Sequence, residues 1–204
     1  GSYKQKSKRV ATLADRIARE LLHRPKAAVQ ARRAAELSKA DLATEMVREF
    51  PELQGIMGGI YAREQGEDDE VCTAIYNHYL PIGIDADAPP SRKTLGNAAV
   101  AWAAVSLADK IDTVVGLFAV GEKPTGSRDP LGIRRQAQGM LRILVDLPEL
   151  TGLDTRVSVG DLRGLARDVN VPSTVEAIER ETVFLLERLR FLLEERGFDV
   201  RNVR

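Results

Sequence analysis

The stretch from Leu95 to Val120, LGNAAVAWAAVSLADKIDTVVGLFAV, decides how this chain folds. Ala98, Trp102, Val105, Leu107, Ile111, Val114, Val115 and Phe118 leave little room for a polar face. A helix that is apolar all round belongs at the centre of a protein. The same stretch carries Asp109, Lys110 and Asp112, too much charge for a bilayer span. No secretory leader precedes it, so no membrane partner is expected.

Outward from this segment, helical periodicity recurs and strand alternation is scarce, so the expected fold is all-α. Val10, Leu13, Ala14, Ile17 and Leu21 form an apolar stripe that ends before Pro25. Leu42, Ala43, Met46, Val47 and Phe50 write a second helix, stopped by Pro51. Beyond the glycines of 55–59, the acidic run Glu64 to Glu70 reads as a loop or helix start. The helix after it places Val71, Ala74, Ile75 and His78 on one face and ends at Pro81. Ile82 to Thr94 reads as a long surface loop and Gly121 to Asp129 as a turn-rich hinge. Asp129-Pro130 is a helix start, with a capping carboxylate ahead of proline, and Ile133, Ala137, Met140, Leu141 and Leu144 point inward from that helix. Residues 148–170 have room for one short helix. The pattern Ser173-x-x-Glu176 opens a long last helix, with Ile178, Thr182, Leu185, Leu186, Leu189, Leu192 and Leu193 inward, and Gly197 closes it.

The 204 residues hold 30 Lys+Arg against 30 Asp+Glu and one cysteine. A lone Cys72 excludes an internal disulfide or a multi-cysteine zinc site and favours a reducing, cytoplasmic setting. Overall neutrality argues against nucleic-acid binding through bulk charge. The zero is a sum over unlike parts, however. Residues 1–39 run near +8, residues 40–90 near −9 and residues 91–204 near +1. Gly1-Ser2 without an initiator Met looks like a protease scar, so the natural protein is expected to begin upstream.

Several chemistries can be set aside. Gly121-x4-Gly126-Ser127-Arg128 has the glycine spacing of a phosphate loop, but it lacks the lysine and follows a helix instead of a strand. Cys72 beside an acidic run reads as a buried small residue and not a nucleophile. His23, opposite its helix's apolar stripe, suits a helix terminus. Two constellations are sharper. Asp41, His78 and Asp109 sit at inward or rim positions of separate helices, where imidazole and carboxylates could ligate a divalent metal. The count is short for a metal, and in the alternative Asp109 pairs with a base, Lys39 being the candidate, while His78 is a satisfied core histidine. The second constellation is Arg134, Arg135, Gln138 and Arg142, within about a third of one helix's circumference, where guanidiniums could grip RNA phosphates. An ordinary solvated face is its alternative. Lys4 to Arg9 and Arg32-Arg33 could widen such a basic surface or neutralise the acidic middle of the chain.

The strings KADLATEMVREF (39–50), ELQGIMG (52–58), ADKIDT (108–113), GEKPTGSRDP (121–130) and LRIL (141–144), with Arg134, Arg135 and Gly139, resemble the β subunit of bacterial heterotetrameric glycyl-tRNA synthetase. The resemblance implies an HD-domain-like helical bundle over residues 3–122, after a two-residue scar. The beginning of an α-helical anticodon-binding domain like that of arginyl-tRNA synthetase follows over residues 123–204. The chain stops at Arg204, where family members continue, so this second part is expected to be truncated. Ala40-Asp41 stands where the HD histidine-aspartate pair would be, Asp109 stands at the last aspartate ligand, and His78 lies near the same pocket. With the histidine missing, the resemblance favours a retired catalytic fold: no catalytic residue, no metal, and Asp41, His78 and Asp109 as vestiges. The family's Asp-Pro-Phe-Ala-Leu-Arg-Arg reads DPLGIRR here (129–135), and Gly132 is expected to weaken the first helical turn by about 1 kcal/mol relative to alanine. The resemblance implies a non-catalytic, tRNA-binding and assembly role in glycine-tRNA ligase. Its partners would be the α subunit, which uses the ATP, and tRNA(Gly), with no cofactor in this part. The remaining classes are a metal-dependent phosphohydrolase working through Asp41, His78 and Asp109, and a purely structural assembly module.

Overall fold

The computed structural model describes residues 2–82, 89–122, 124, 129, 131–170 and 172–199, and every regular element among them is helical. The parts of the expected 82–94 loop at 83–88 and of the 121–129 hinge at 123 and 125–128, together with Pro130, lie outside the described residues.

Helix α1 (Tyr3–Arg16) opens on a capping box in which Ser2 Oγ accepts from the Gln5 amide and Gln5 Oε1 accepts from the Ser2 amide. Val10, Leu13, Ala14 and Ile17 are buried, as the stripe predicts. Past Ile17 the core takes in Ala18 and Leu22, while Leu21 is only half-buried, because Ile17–Leu21 forms a π turn. The Leu22 amide donates to Ile17 O at 2.9 Å, so Leu22 takes the inward place that an unbroken α-helix would give Leu21. His23 then sits exposed at φ +54°, in the link to the next helix and outside any helical turn.

Helix α2 (Pro25–Leu37) has no counterpart in the sequence reading. Its buried face is Ala28, Ala31, Ala34 and Ala35, which gives weak hydropathy contrast, and Pro25 is its first residue and not a terminator. The helix read over 42–50 is broken: Ala40–Ala43 is a 3-10 turn, Thr44 is extended, and α3 (Glu45–Glu49) follows. Only Val47 of its apolar set is buried, while Met46 and Phe50 are 41% and 43% exposed. Helix α4 (Ile56–Glu64) runs through the glycines. Gly59 packs so closely on α5 (Asp69–Asn77) that a Cβ would lie 2.9 Å from Cys72 O. Asp68 caps α5 by accepting from the Glu70 amide, which places the acidic run at a helix start.

After the short α6 (Arg92–Leu95) comes α7 (Ala99–Ala119), 21 residues long and buried on all sides by α1, α2, α5, α8, α10 and α11. Its central position is as the sequence predicts. Helix α8 (Ile133–Val145) starts three residues later than Asp129-Pro130 suggests. Gly132 precedes the helix at φ +69°, ψ +19°, so the expected weakening of a helical turn does not arise; glycine suits this left-handed position. The Asp129 carboxylate still caps, accepting from the Arg134 amide at 3.0 Å. Two helices, α9 (Leu147–Thr151) and α10 (Val159–Val169), occupy the region read as one. Helix α11 (Val175–Glu195) is capped by Thr174, one residue past the predicted Ser173, and closes at Gly197 with φ +80°. Leu185 and Leu192 point inward as predicted, but Leu186 is half exposed, and Ala177 and Glu181 are buried.

The π turn makes Leu22 the deeper of two adjacent leucines. Leu22→Ala is expected to lower unfolding free energy by about 3 kcal/mol and Leu21→Ala by less than half of that, measured by urea unfolding. The reverse order would mean α geometry through Ile17–Leu21.

Candidate functional site

An apolar helix carrying carboxylates must have cations brought to it. The residue that follows the C-cap of α2, Lys39, reaches inward until its Nζ lies 2.7 Å from Asp109 Oδ2 and 3.0 Å from His78 Nε2, and 3.9 Å above the centre of the Tyr79 ring. Lys39, His78 and Asp109 are all buried. Asp109 Oδ1 stands 3.1 Å from Lys6 Nζ, an ion pair without hydrogen-bond alignment. One turn on, Asp112 accepts from Lys6, from Arg9 Nε and Nη2, and from the Asn170 side-chain amide. Lys110 leaves α7 on another side, where its Nζ donates to His78 O and Tyr79 O beyond the end of α5. Sequence reasoning missed Lys110, whose only signal is a lysine inside the most apolar segment.

These contacts set the protonation states. Ile75 O can only accept, so His78 Nδ1 carries the proton in their 2.6 Å bond, and Nε2 is left to accept from Lys39. Only the neutral imidazole satisfies both neighbours. Burial and the Lys39 charge push its pKa down to about 3. Burial works against an ionised Asp109, but the Lys39 and Lys6 ammonium groups outweigh it and hold its pKa well below the usual carboxylate range. Burial pushes Lys110 down to about 7, with Asp109 opposing and Lys39 and Lys6 assisting. Burial raises the Cys72 thiol, which fits the inert role read from sequence.

The structure brings two of the three metal candidates together around an ammonium. Asp41 does not join them. Its Oδ2 accepts from the Gly55 and Gly58 amides at 2.6 and 3.1 Å and so caps α4 from outside that helix. Among the described residues no group of three or more His, Cys, Asp or Glu side chains is arranged to hold a metal ion. The arrangement is that of the alternative reading, with Lys39 paired to Asp109 and His78 satisfied in the core. It can hold charge in a fixed geometry, but an ammonium can neither polarise a phosphoryl group as a Lewis acid nor activate a bound water.

On α8, Arg135 is exposed and Arg134 and Arg142 are half buried. Gln138 departs from the sequence reading: it is 1% exposed, and neither end of its amide has a hydrogen-bond partner among the described residues. The one-sided stripe failed because α8 is covered by both α7 and α11, which widens its buried arc past the position of Gln138. Gly139 allows a further approach, since a Cβ there would lie 2.4 Å from Pro81 O and 2.8 Å from Lys110 Cε. A third charged cluster was not read from sequence. Glu181 of α11 is buried against Arg163 and Arg167 of α10, at 2.7 and 3.3 Å.

The family model described as "Glycyl-tRNA synthetase beta subunit" matches residues 1–204. The chain is similar to the glycine-tRNA ligase beta subunits of Aromatoleum aromaticum (46% identical over 203 residues), Lawsonia intracellularis (42% over 205) and Methylobacillus flagellatus (40% over 207). These alignments cover 98%, 98% and 100% of the chain but 27% of each relative, so the chain spans about a quarter of the length of the curated relatives it matches.

Removing the ammonium should strand a buried carboxylate. Lys39→Met is expected to cost about 3 kcal/mol or more in urea unfolding, and adding Asp109→Asn should recover at least about 1 kcal/mol of that. A double mutant no better than the single would mean Lys39 acts through packing alone. His78 gives a pH signature: unfolded it protonates near 6.5, folded only near 3, so the unfolded state binds the extra proton between those values. Stability should therefore fall by about 2 kcal/mol from pH 7 to pH 5, and His78→Gln should flatten that window. An unchanged slope in the variant would assign the acid sensitivity elsewhere.

Proposed function

The chain belongs to the glycyl-tRNA synthetase beta subunit family, and from that membership we propose that it is the non-catalytic, tRNA-binding and assembly part of a glycine-tRNA ligase β subunit. In this reading residues 3–122 form an HD-like bundle, and residues 123–204 begin an anticodon-binding unit. The chain works in the cytoplasm within a heterotetramer, where the α subunit activates glycine with ATP and tRNA(Gly) is the substrate shared between subunits. This part needs no cofactor of its own. That no helix of the described residues is long and apolar enough to cross a membrane is compatible with this setting.

The observation that carries the non-catalytic reading is Lys39. It occupies the imidazole nitrogen and the carboxylate oxygen that a metal would require, at 3.0 and 2.7 Å. The third candidate, Asp41, spends its oxygen on backbone amides. A phosphohydrolase built on Asp41, His78 and Asp109 finds no support in that arrangement. The RNA-facing role falls to Arg134, Arg135 and Arg142, without the buried Gln138. Their helix is rigidly seated, capped by Asp129 and packed on α7 and α11, which suits placed contacts to a phosphate backbone.

In the assembled ligase, Arg134→Glu with Arg135→Glu should raise KM for tRNA at least fivefold while tRNA-independent ATP–pyrophosphate exchange stays unchanged. Unaltered tRNA kinetics would remove α8 from the RNA surface. Loss of the α subunit on sedimentation, with tRNA affinity kept, would make α8 an assembly surface.

A further inference from the structure

A second basic surface, apart from α8, lies along the seam of α1 and α2. A groove of about 620 Å³ opens there, and Lys4 and Lys8 project over it from one side and Arg32 from the other. Lys4 and Lys8 are one helical turn apart, roughly 6 Å along the axis, comparable to the separation of consecutive phosphates on one strand. Ser7 and Thr12 add hydroxyls between them, and Tyr3, 65% exposed, stands at the mouth.

The placement of these lysines is itself informative. The first two turns of α1 hold Lys4, Lys6, Lys8 and Arg9, and the first turn holds no acidic residue. The helix dipole disfavours cations at that end. Lys6 and Arg9 are accounted for, since they turn inward to Asp109 and Asp112. Lys4 and Lys8 turn the other way, are exposed, and make no ion pair among the described residues. The one carboxylate of the groove, Glu36, is shared by Arg32 at 3.3 Å and Arg33 at 3.7 Å.

The floor of the groove does not offset this charge. Beneath it, the three cations Lys6, Arg9 and Lys39 converge on two carboxylates, Asp109 and Asp112, so the ion pairs of this buried network leave one positive charge in excess under α1. A wall of low dielectric concentrates such a field into the groove. The lining is short of apolar anchors, with Ala11 and Ala40 its small apolar side chains, whereas a docked acidic peptide needs a pocket for a large side chain. Point charges, hydroxyls and a stacking ring suit a nucleic-acid backbone better. By comparison, Arg134 and Arg142 on α8 each already have a partner within the chain.

We propose that the α1–α2 groove binds the phosphodiester backbone of a structured RNA through Lys4, Lys8 and Arg32, with Tyr3 stacking at its edge. The proposal rests on the tRNA-binding reading above and adds a second contact site to it. Each phosphate neutralised by these side chains releases condensed counterion, so the contribution is salt-dependent.

The test uses the assembled ligase carrying Lys4→Glu, Lys8→Glu and Arg32→Glu, beside the α8 reversal, with tRNA as the probe. The groove variant should raise the Kd and KM for tRNA at least tenfold and flatten the dependence of log Kd on log salt by about two units. ATP–pyrophosphate exchange and the thermal midpoint should be unchanged. If the reversal unfolds the chain, the Lys4→Gln, Lys8→Gln, Arg32→Gln variant replaces it, with an expected rise of about threefold. A tRNA Kd and salt slope equal to wild type overturn the proposal. In that event an α8 reversal that still weakens tRNA leaves the tRNA-binding role standing, and an α8 reversal that is also silent removes both. A groove variant that binds tRNA normally but releases the α subunit assigns the groove to an acidic protein surface and likewise overturns it.

Discussion

Asp109 and Asp112 carry negative charge into the middle of the most apolar helix, and the surrounding elements are arranged around that cost. A buried carboxylate is tolerated only where paired charge and hydrogen bonds replace the water it has lost. Helix α1 supplies Lys6 and Arg9, the segment leaving α2 supplies Lys39, and the end of α10 supplies Asn170. Three parts of the chain far apart in sequence are thereby fixed to one helix in both rotation and height. Apolar packing alone specifies neither so tightly, because methyl groups can slide past one another at little cost. The charge pairs are directional and cannot.

The same logic extends to the C-terminal helices. Buried residues from α1 through α11 form one continuous cluster, with α7 as the element common to both halves of the chain. Outside it, Glu181 is clamped between Arg163 and Arg167, and Asp146 holds Arg196 near the end of α11. Gly139 removes the side chain that would otherwise keep α8 from Pro81 and Lys110. The arginines of α8 are therefore displayed from an element whose position is set on several sides.

Much of this was legible in the sequence wherever the signal was strong contrast. The apolar run of 95–120 reads as a central helix because nothing in it suggests a wet face. The acidic run before α5 and Gly197 mark helix ends because capping chemistry is local, and the cap read at Ser173 falls one residue later, at Thr174. Lys39 could be named as the partner of Asp109 because a buried carboxylate demands one. What escaped was either low in contrast or non-local. An alanine-faced α2 looks like a linker, since alanine barely distinguishes inside from outside. The broken helix around Thr44 depends on Asp41 being drawn away to cap α4. Gln138 was put on the solvent side because a helical wheel assumes one buried face, and here two neighbours cover the helix. Arg135 remained outside, but the extent of the stripe was set by tertiary packing that no local pattern encodes.

The π turn at Ile17–Leu21 bears on how much length the junction of α1 and α2 can absorb. It holds one residue more than an α-helix needs to cover the same path. Ile17 and Ala18 still obey the phase of α1, and Leu22 then takes the inward place that the same phase would give Leu21, about 100° away. The core is intact on both sides, so the bulge has absorbed the extra residue without passing a frame change into α2. A buried helix that can gain or lose one residue at a defined place is open to length variation of the kind usually confined to surface loops.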